Sequence, residues 1–343
     1  MGREGRRRFL VGLGALLAIP RVRAQQGQKV YQIGVLQSAS EAAGLSDTVS
    51  LLWALLAEHG YVAYGGLSSQ VKPGPVRLFG WLSRTAQGSD SELAALGAEL
   101  VARKVDVILA VGAQSALAAK RATNTIPVVM VIQGDPVQLG LVVSLSRPGA
   151  NLTGVTTIAS QLAIKRLELL REAVPGLTRI AVIRNPKDPE QMDEWRAVDA
   201  AARQLGIELA SIEASSADDF EPMLNAVRAT DAGALLVFSY RFTRANAAAI
   251  AETVASRRLP AVYTDRAFVN YLNGGLMSYG PEHVELLRRT AKLLAQVLDG
   301  AKPSGLPVEQ PSSFELVINA RAARAMGFAI PPSLLLRATL VLE

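Results

Sequence analysis

The chain has 343 residues, no cysteine and a formal net charge of +6, from 36 Lys+Arg against 30 Asp+Glu. Six of the arginines but only one of the acidic residues lie at positions 1–24, which leaves 30 basic and 29 acidic residues in the rest of the chain. This near neutrality excludes nucleic acid as a partner recognised through a basic surface. The absence of cysteine excludes a disulfide framework, and we expect no lipid-modified cysteine at the N-terminus.

Residues 1–24 have the pattern of a cleavable export signal. The arginines Arg6-Arg7-Arg8 precede a short apolar run, Phe9–Pro20, and Val22 and Ala24 stand three and one residues before the expected cleavage point. The apolar run is too short for a membrane span, which needs about 20 residues. The paired arginines predict a twin-arginine signal, and an ordinary secretory signal is the alternative. We expect cleavage after Ala24 and a soluble periplasmic protein that is not inserted in the membrane.

From Lys29 onward, short apolar strands alternate with amphipathic helices, a pattern typical of parallel sheets covered by helices. The first unit has predicted strands at 31–36, 105–111 and 128–132. One predicted helix ends at Gly60 and a second covers 93–104. Two more begin at Gln114 and at Pro136. Between Tyr61 and Asp90 the density of glycine and proline argues against a strand.

A second unit of the same kind follows residues 148–154. Its predicted strands are 179–183, 234–238 and 261–263, and its helices carry apolar residues at spacings of three and four around 163–174, 195–205 and 284–298. The predicted fold is therefore α/β, with two doubly wound parallel-sheet lobes and a cleft between them. Because ligands of such sheets bind beyond the carboxyl ends of the strands, the loops there are the candidate site.

These loops contain groups that suit an amino acid or a similar small zwitterion. Hydroxyl and backbone N–H groups at Ser38, Ser40 or Ser115 would hold a carboxylate, and Asp135 or Asp265 would meet an ammonium group. An apolar or aromatic moiety would contact aromatic side chains, namely Tyr240, Phe242, Tyr263 or Tyr279. The complete set of candidate ligand-binding residues is Ser38, Ser40, Gln114, Ser115, Gly134, Asp135, Asn185, Ser239, Tyr240, Tyr263, Asp265 and Tyr279.

The sequence contains few residues that are suited to catalysis. The two histidines, His59 and His283, lack a metal-ligand spacing and are expected at the surface. The sequence contains no G-x-S-x-G nucleophile elbow, no G-x-x-x-x-G-K-[ST] phosphate loop and no complete G-x-G-x-x-G after a strand. We therefore expect neither an enzyme nor a cofactor or metal site.

Several stretches of the chain resemble the ABC transporter substrate-binding protein family that includes tryptophan-binding members. Together these stretches cover most of the chain beyond the signal. They are KVDVILAVG (104–112), AAKRATNTIP (118–127), GDP (134–136), SRPGANLTG (146–154), KRLELL (165–170), GGLMSYG (274–280), GAKP (300–303), LPVEQP (306–311), FELVIN (314–319) and GFAIPPSLL (327–335). The segment 48–87 departs from the family pattern, and we expect an altered sheet edge there.

The resemblance implies the type I periplasmic-binding fold, in which two lobes joined by three crossing segments close on a ligand. Lobe one would comprise 29–151 and 281–307, and lobe two 157–274 and 319–343. The crossing segments would be 151–156, 275–280 and 308–318.

The function implied by the resemblance is a monomeric periplasmic receptor that captures a small solute. The solute would be an amino acid, with aromatic ones favoured, and the receptor would deliver it to an ABC permease and its ATPase. Two alternatives remain open at this stage. One is a ligand-sensing partner of a membrane signalling protein, and the other is a secreted α/β enzyme.

Overall fold

The computed structural model describes residues 29–38, 45–64, 76–86, 90–270 and 274–343. The predicted export signal, Ser40 and the glycine- and proline-rich stretch 65–75 lie outside these residues. Within them the chain forms two α/β lobes, each built on its own sheet. The predicted fold class is thus confirmed. No helix in this part of the chain has the length and apolar character needed to cross a membrane.

The first sheet and its neighbouring helices come mainly from the N-terminal half. In chain order these elements are β1 (Val30–Ser38), α1 (Leu45–Ala57), β2 (Tyr61–Ala63), β3 (Arg77–Ala86), α2 (Asp90–Ala102), β4 (Val107–Val111), α3 (Ala113–Ala122), β5 (Val128–Ile132) and β6 (Leu152–Thr156). All six strands are parallel, in the order β2-β3-β1-β4-β5-β6.

The remaining elements begin with α4 (Ala159–Ala173). They continue with β7 (Arg179–Arg184), α5 (Pro189–Gln204), β8 (Glu208–Glu213), α6 (Phe220–Ala229), β9 (Ala234–Val237), α7 (Arg241–Ala245), α8 (Ala247–Ser256), β10 (Ala261–Tyr263), β11 (Met277–Pro281), α9 (His283–Leu298), β12 (Phe314–Asn319), α10 (Ala320–Met326), α11 (Pro332–Arg337) and β13 (Leu340–Leu342). The second sheet has the order β13-β12-β11-β10-β9-β7-β8, and its one antiparallel pair in the described residues is β11 with β12.

Each sheet is covered on both faces, which explains why its strands are almost continuously apolar. In lobe one, α1 and α9 pack on one face, with Leu56 and Leu294 fully buried, and α2 and α3 pack on the other. In lobe two, α4 and α5 cover one face, where Leu167 and Val198 are fully buried, and α6 and α8 cover the other. These layers leave the loops at the carboxyl ends of the strands free to form a site.

Two sequence-based predictions of local structure are wrong. The segment before Asp90 does contain a strand, because β3 pairs with β1 over nine residues. The ring of Phe79 in this strand makes an edge-to-face contact with Trp53, with ring centroids 5.1 Å apart. Pairing along a long neighbour outweighs the single glycine within β3. Pro136, in contrast, opens no helix: Leu139 N donates to the Asp135 carbonyl at 3.0 Å, and this turn ends at Gly140 with φ +67°.

The chain passes between the lobes three times in the described residues. Residues 152–156 belong to the first sheet and Ala159 already begins a helix of lobe two, so the first passage is 157–158. The second is at Glu282, between the end of β11 at Pro281 and the start of α9 at His283. Glu309 bridges to Val155 of the first sheet and β12 begins at Phe314, so the third is 310–313. Each passage lies within or beside one of the segments that the resemblance implies as crossings.

Candidate functional site

A cavity of about 240 Å³ lies between the two lobes. Both lobes and the passages between them contribute to its wall. The lining residues are Thr48, Val111, Gly112, Val131, Ile132, Gln133, Thr157, Ala159, Leu162, Arg166, Asn185, Asp188, Glu190, Ser239, Tyr240, Arg244, Thr264, Asp265, Arg266, Ser278, Gly280, Pro281, His283, Leu286, Leu287 and Glu315. This position is the one expected for a ligand site at the carboxyl ends of parallel strands.

Four of the predicted site residues line this cavity, namely Asn185, Ser239, Tyr240 and Asp265. All four follow strands of the second sheet, so the rule of strand ends works well in lobe two. The side chains of three of them also have partners within the protein. The Tyr240 hydroxyl donates to the Ala214 carbonyl, Asn185 Oδ1 accepts the Lys187 N–H at 3.0 Å, and Asp265 lies 3.4 Å from Arg244.

Two predicted tyrosines and one predicted serine pack against other parts of the protein instead of lining the cavity. Tyr263 is fully buried and stacks on Phe268 with ring centroids 4.8 Å apart, and Tyr279 stacks on Phe314 at 6.2 Å. The Ser115 hydroxyl is buried in α3 without a hydrogen-bond partner in the described part of the chain. None of the three side chains is part of the cavity wall.

The remaining predicted residues lie near the strand ends of lobe one. Ser38 is the last residue of β1, and Gln114 is the second residue of α3. The Asp135 carboxylate accepts the Val137 N–H at 2.8 Å and so caps its own turn. Gly134 donates its N–H to Glu190 at 2.7 Å. These four residues are outside the cavity wall, although Gly134 is one bond from the lining residue Gln133.

A buried ion pair lies at one side of the cavity, where Arg166 is part of the wall. Arg166 Nη1 donates to Glu194 Oε1 at 2.8 Å, and each side chain is 2% exposed. Arg166 Nε donates to the Tyr279 carbonyl at 2.8 Å, while Nη2 has no hydrogen-bond partner among the described residues. Burial raises the pKa of Glu194 to about 7, although Arg166 acts in the opposite direction. Arg166 can therefore offer two N–H donors to a ligand without losing its partner.

Glu190 makes a contact that crosses from lobe two to lobe one. Its Oε1 accepts the N–H groups of Gln133 at 2.6 Å and Gly134 at 2.7 Å, and its Oε2 accepts that of Ala113 at 3.3 Å. Burial, and to a smaller extent the charge of Asp188, raise the pKa of Glu190 to about 7, against the lowering effect of the three N–H groups. Lobe one thus binds a carboxylate at its strand ends, and that carboxylate belongs to the protein.

Other polar groups of the wall include one buried hydroxyl. Thr264 Oγ1 is buried and lacks a hydrogen-bond partner within the described ranges. Arg266 pairs with Glu315 at 3.2 Å. The surface position predicted for His283 is wrong, because this residue is half-buried and lines the cavity, where burial lowers the pKa of its imidazole. His283 therefore holds its proton less tightly than an exposed histidine does.

Three buried charged residues of the site, Arg166, Glu190 and Glu194, are not among the predicted residues, although the sequence contains a signal for each. Arg166 follows Ala163 by three positions and precedes Leu170 by four, so it falls on the buried stripe of its helix. Glu190 and Glu194 continue, at spacings of four, the stripe that contains Val198 and Ala202. A charged residue on the core-facing stripe of a helix needs a partner, and that need indicates a site.

This chain is similar in sequence and in fold to known proteins. A curated relative, the tyrosine-binding protein of Clostridioides difficile (strain R20291), is 24% identical over 243 residues, which cover 71% of this chain and 69% of the relative. A solved ABC domain in complex with L-Trp from Streptococcus pneumonia has a TM-score of 0.75 and 26% identity, over 92% of this chain and all of that chain.

Two further solved structures share the fold. A conserved domain protein from Vibrio cholerae has a TM-score of 0.77 at 24% identity, covering 91% of this chain and all of that chain. The ligand-free, open form of a substrate-binding protein with adhesive properties from Clostridium difficile has a TM-score of 0.62 at 20% identity, covering 92% of this chain and all of that chain. The family model for ABC transporter substrate binding proteins matches residues 74–342. The chain belongs to the family of ABC transporter substrate binding proteins.

Proposed function

We infer that the protein is the periplasmic receptor of an ABC importer and that it captures an amino acid, with aromatic ones favoured. The receptor would bind its ligand between the lobes and deliver it to a membrane permease and the associated ATPase. The observation that carries this proposal is the interlobe cavity, whose lining residues include charged groups of both signs and apolar side chains. A tyrosine-binding relative and a relative in complex with L-Trp support the choice of ligand.

The size of the cavity favours a ligand no larger than an amino acid. Its volume of about 240 Å³ lies below the range of roughly 300–1,000 Å³ that is usual for drug-sized ligands. Leu162, Leu286 and Leu287 provide apolar surface, and the ring of Tyr240 provides an aromatic face. Such a wall suits an apolar or aromatic side chain.

The polar groups supply the orientation of the ligand. Arg166, with Nη2 available, would pair with the α-carboxylate, since guanidinium groups bind carboxylates with directed hydrogen bonds. The carboxylates of Asp188 and Asp265 would attract the α-ammonium group, and Thr264 Oγ1 would form a hydrogen bond with either end. Both lobes contact the ligand only when the cleft is closed, so binding shifts the population toward the closed form.

A thermal-shift screen tests the proposal. The purified protein is heated with each of the twenty amino acids and, as a second class of solute, with a set of neutral sugars. A ligand that binds only the folded form raises the melting temperature, by an amount that grows with its concentration. We expect tyrosine, tryptophan or phenylalanine to give the largest shift. A shift with sugars and none with amino acids would contradict the proposal.

A further inference from the structure

We propose that Glu190 is the closing contact of this receptor: its carboxyl group docks into three backbone N–H groups of lobe one and holds the lobes together. This inference rests on the proposed function, because closure of the lobes has a use only in a protein whose cleft captures a ligand. The contact itself is complete without any ligand, and it can therefore be tested without one.

The docking site on lobe one is built from two adjacent loops. Gln133 and Gly134 follow β5, and Ala113 is the first residue of α3, so their N–H groups converge beyond the ends of neighbouring strands β4 and β5. The first N–H groups of a helix have no partner within the helix. In the closed form, Glu190 supplies an acceptor for all three.

The side chain of Glu190 is held in place by its own helix. Pro189 begins α5, and the Asp188 carboxylate accepts the Glu190 N–H at 3.0 Å, which is a regular N-terminal cap. The capped first turn fixes the direction in which Glu190 leaves lobe two. A rigid support of this kind reduces the entropy lost when the contact forms.

Lobe one has a matching feature at Gly134. A Cβ atom at this position would lie 3.1 Å from Glu190 Cγ and 3.1 Å from Leu139 Cδ1. Glycine therefore leaves room for the glutamate to approach the backbone. This gives Gly134, predicted from the sequence as a ligand-binding residue, a different proposed role, namely receiving the closing contact.

The two oxygens of Glu190 do not contribute equally. Both short hydrogen bonds end on Oε1, whereas Oε2 accepts one at 3.3 Å. Replacing Oε2 by an amide nitrogen, as in Glu190→Gln, keeps the two short bonds. Glu190→Ala removes all three, and Glu190→Asp is one methylene too short to reach them. The three variants therefore separate the loss of the contact from the loss of charge.

Spin-label distance measurements on the ligand-free protein test the proposal. The chain has no native cysteine, so Val137→Cys in lobe one and Lys187→Cys in lobe two can be labelled selectively; both positions are exposed and flank the contact. We expect one dominant short distance for the parent and for Glu190→Gln. Glu190→Ala should raise the ratio of open to closed molecules about tenfold, as the loss of two short hydrogen bonds predicts.

Variants on the other lobe and matched controls complete the design. Gly134→Ala should shift the distances in the same direction as Glu190→Ala. Gly305→Ala, where no atom lies within 4 Å of the added Cβ, and Asp199→Asn, which alters a local pair on α5, should leave the distribution unchanged. If Glu190→Ala keeps the parent distances while its melting curve is normal, the proposal is wrong. That result would leave the amino-acid screen unaffected, so the two failures are distinguishable.

Discussion

Arg166 and Glu194 form an ion pair at 2.8 Å between α4 and α5, and each side chain is 2% exposed. Removing one member of such a pair leaves an uncompensated buried charge, which costs about 3–5 kcal/mol. We expect Arg166→Met to lower the free energy of unfolding by an amount in this range, measured by urea titration at pH 8. The double variant Arg166→Met/Glu194→Leu should recover most of the loss.

The control for this prediction is the neighbouring exposed pair Lys165 and Glu168, with side chains 42% and 48% exposed. Lys165→Met should change the free energy of unfolding by less than about 1 kcal/mol, as is usual for surface pairs. If Arg166→Met were as stable as the double variant, the buried pair would not have the structural role assigned to it.

The buried hydroxyl of Thr264 gives a prediction in which affinity and stability change differently. Thr264→Val keeps the shape of the side chain and removes an Oγ1 that has no partner in the described part of the chain. Stability should be unchanged or slightly higher, whereas ligand affinity should fall about tenfold if the hydroxyl bonds the ligand. Calorimetric titration and a melting curve on the same sample give both quantities. As a control, Thr290→Val removes a hydroxyl bonded within α9 to the Leu286 carbonyl, and it should leave ligand affinity intact.

The pKa of Glu190 predicts that the free energy of unfolding depends on pH. Burial raises this pKa from its ordinary value of 4.5 to about 7 in the folded protein, so folding takes up a proton. The stabilising contribution is therefore present below about pH 4.5 and is lost as the pH rises through about 7. The charge of Asp188, the N-cap of α5, also raises the pKa of Glu190, whereas the three backbone N–H groups of lobe one act in the opposite direction.

The measurement is urea unfolding of the ligand-free protein between pH 5.5 and pH 8.5. The free energy of unfolding of the parent, relative to that of Glu190→Gln, should fall as the pH rises, because the amide of the variant does not titrate in this range. An equal pH dependence in parent and variant would assign the titration to another group.

The third passage between the lobes predicts a loss of stability in acid. Burial alone would raise the pKa of Glu285, but hydrogen bonds from Arg289 and from the hydroxyl and N–H groups of Ser312 and Ser313 together lower it to about 2. Because this pKa lies below the ordinary value of 4.5, the contribution is present above pH 4.5 and is lost as the pH falls through about 2. Glu285→Gln should be less stable than the parent at pH 7, with a difference that shrinks between pH 4.5 and pH 2. A difference independent of pH in urea unfolding would refute the assignment.

Much of the strand framework and four residues of the cavity wall were accessible from the sequence because they follow local rules. Short apolar runs predicted β7, β9 and β10, three of the seven strands that the described residues form in the second sheet. Asn185, Ser239 and Asp265 line the cavity because each directly follows such a strand or lies in the loop after it. Tyr279, predicted as an aromatic contact for the ligand, is not part of the cavity wall. This residue lies within β11, where its ring stacks on Phe314 of the antiparallel partner β12, a pairing that local pattern does not reveal.

The parts that the sequence did not predict depend on contacts between distant segments. Pairing with β1 makes β3 a strand although glycine and proline precede it, and only the fold brings these segments together. Glu190 meets Gly134 across 56 positions of sequence, and its role depends on how the lobes close. Charged residues on buried helix stripes, such as Arg166, are the one local trace of such contacts.

The central claim is that the cleft binds an amino acid by its charged ends and its side chain. Calorimetric titration of the purified protein with L-tyrosine and L-tryptophan, and with the corresponding amines tyramine and tryptamine, which lack the carboxylate, tests it most directly. We expect saturable binding to one site for at least one of the two amino acids. We expect at least about tenfold weaker binding of the corresponding amine, because the amine leaves Arg166 Nη2 without a partner. Absence of binding by both amino acids, or equal binding of amine and amino acid, would contradict it.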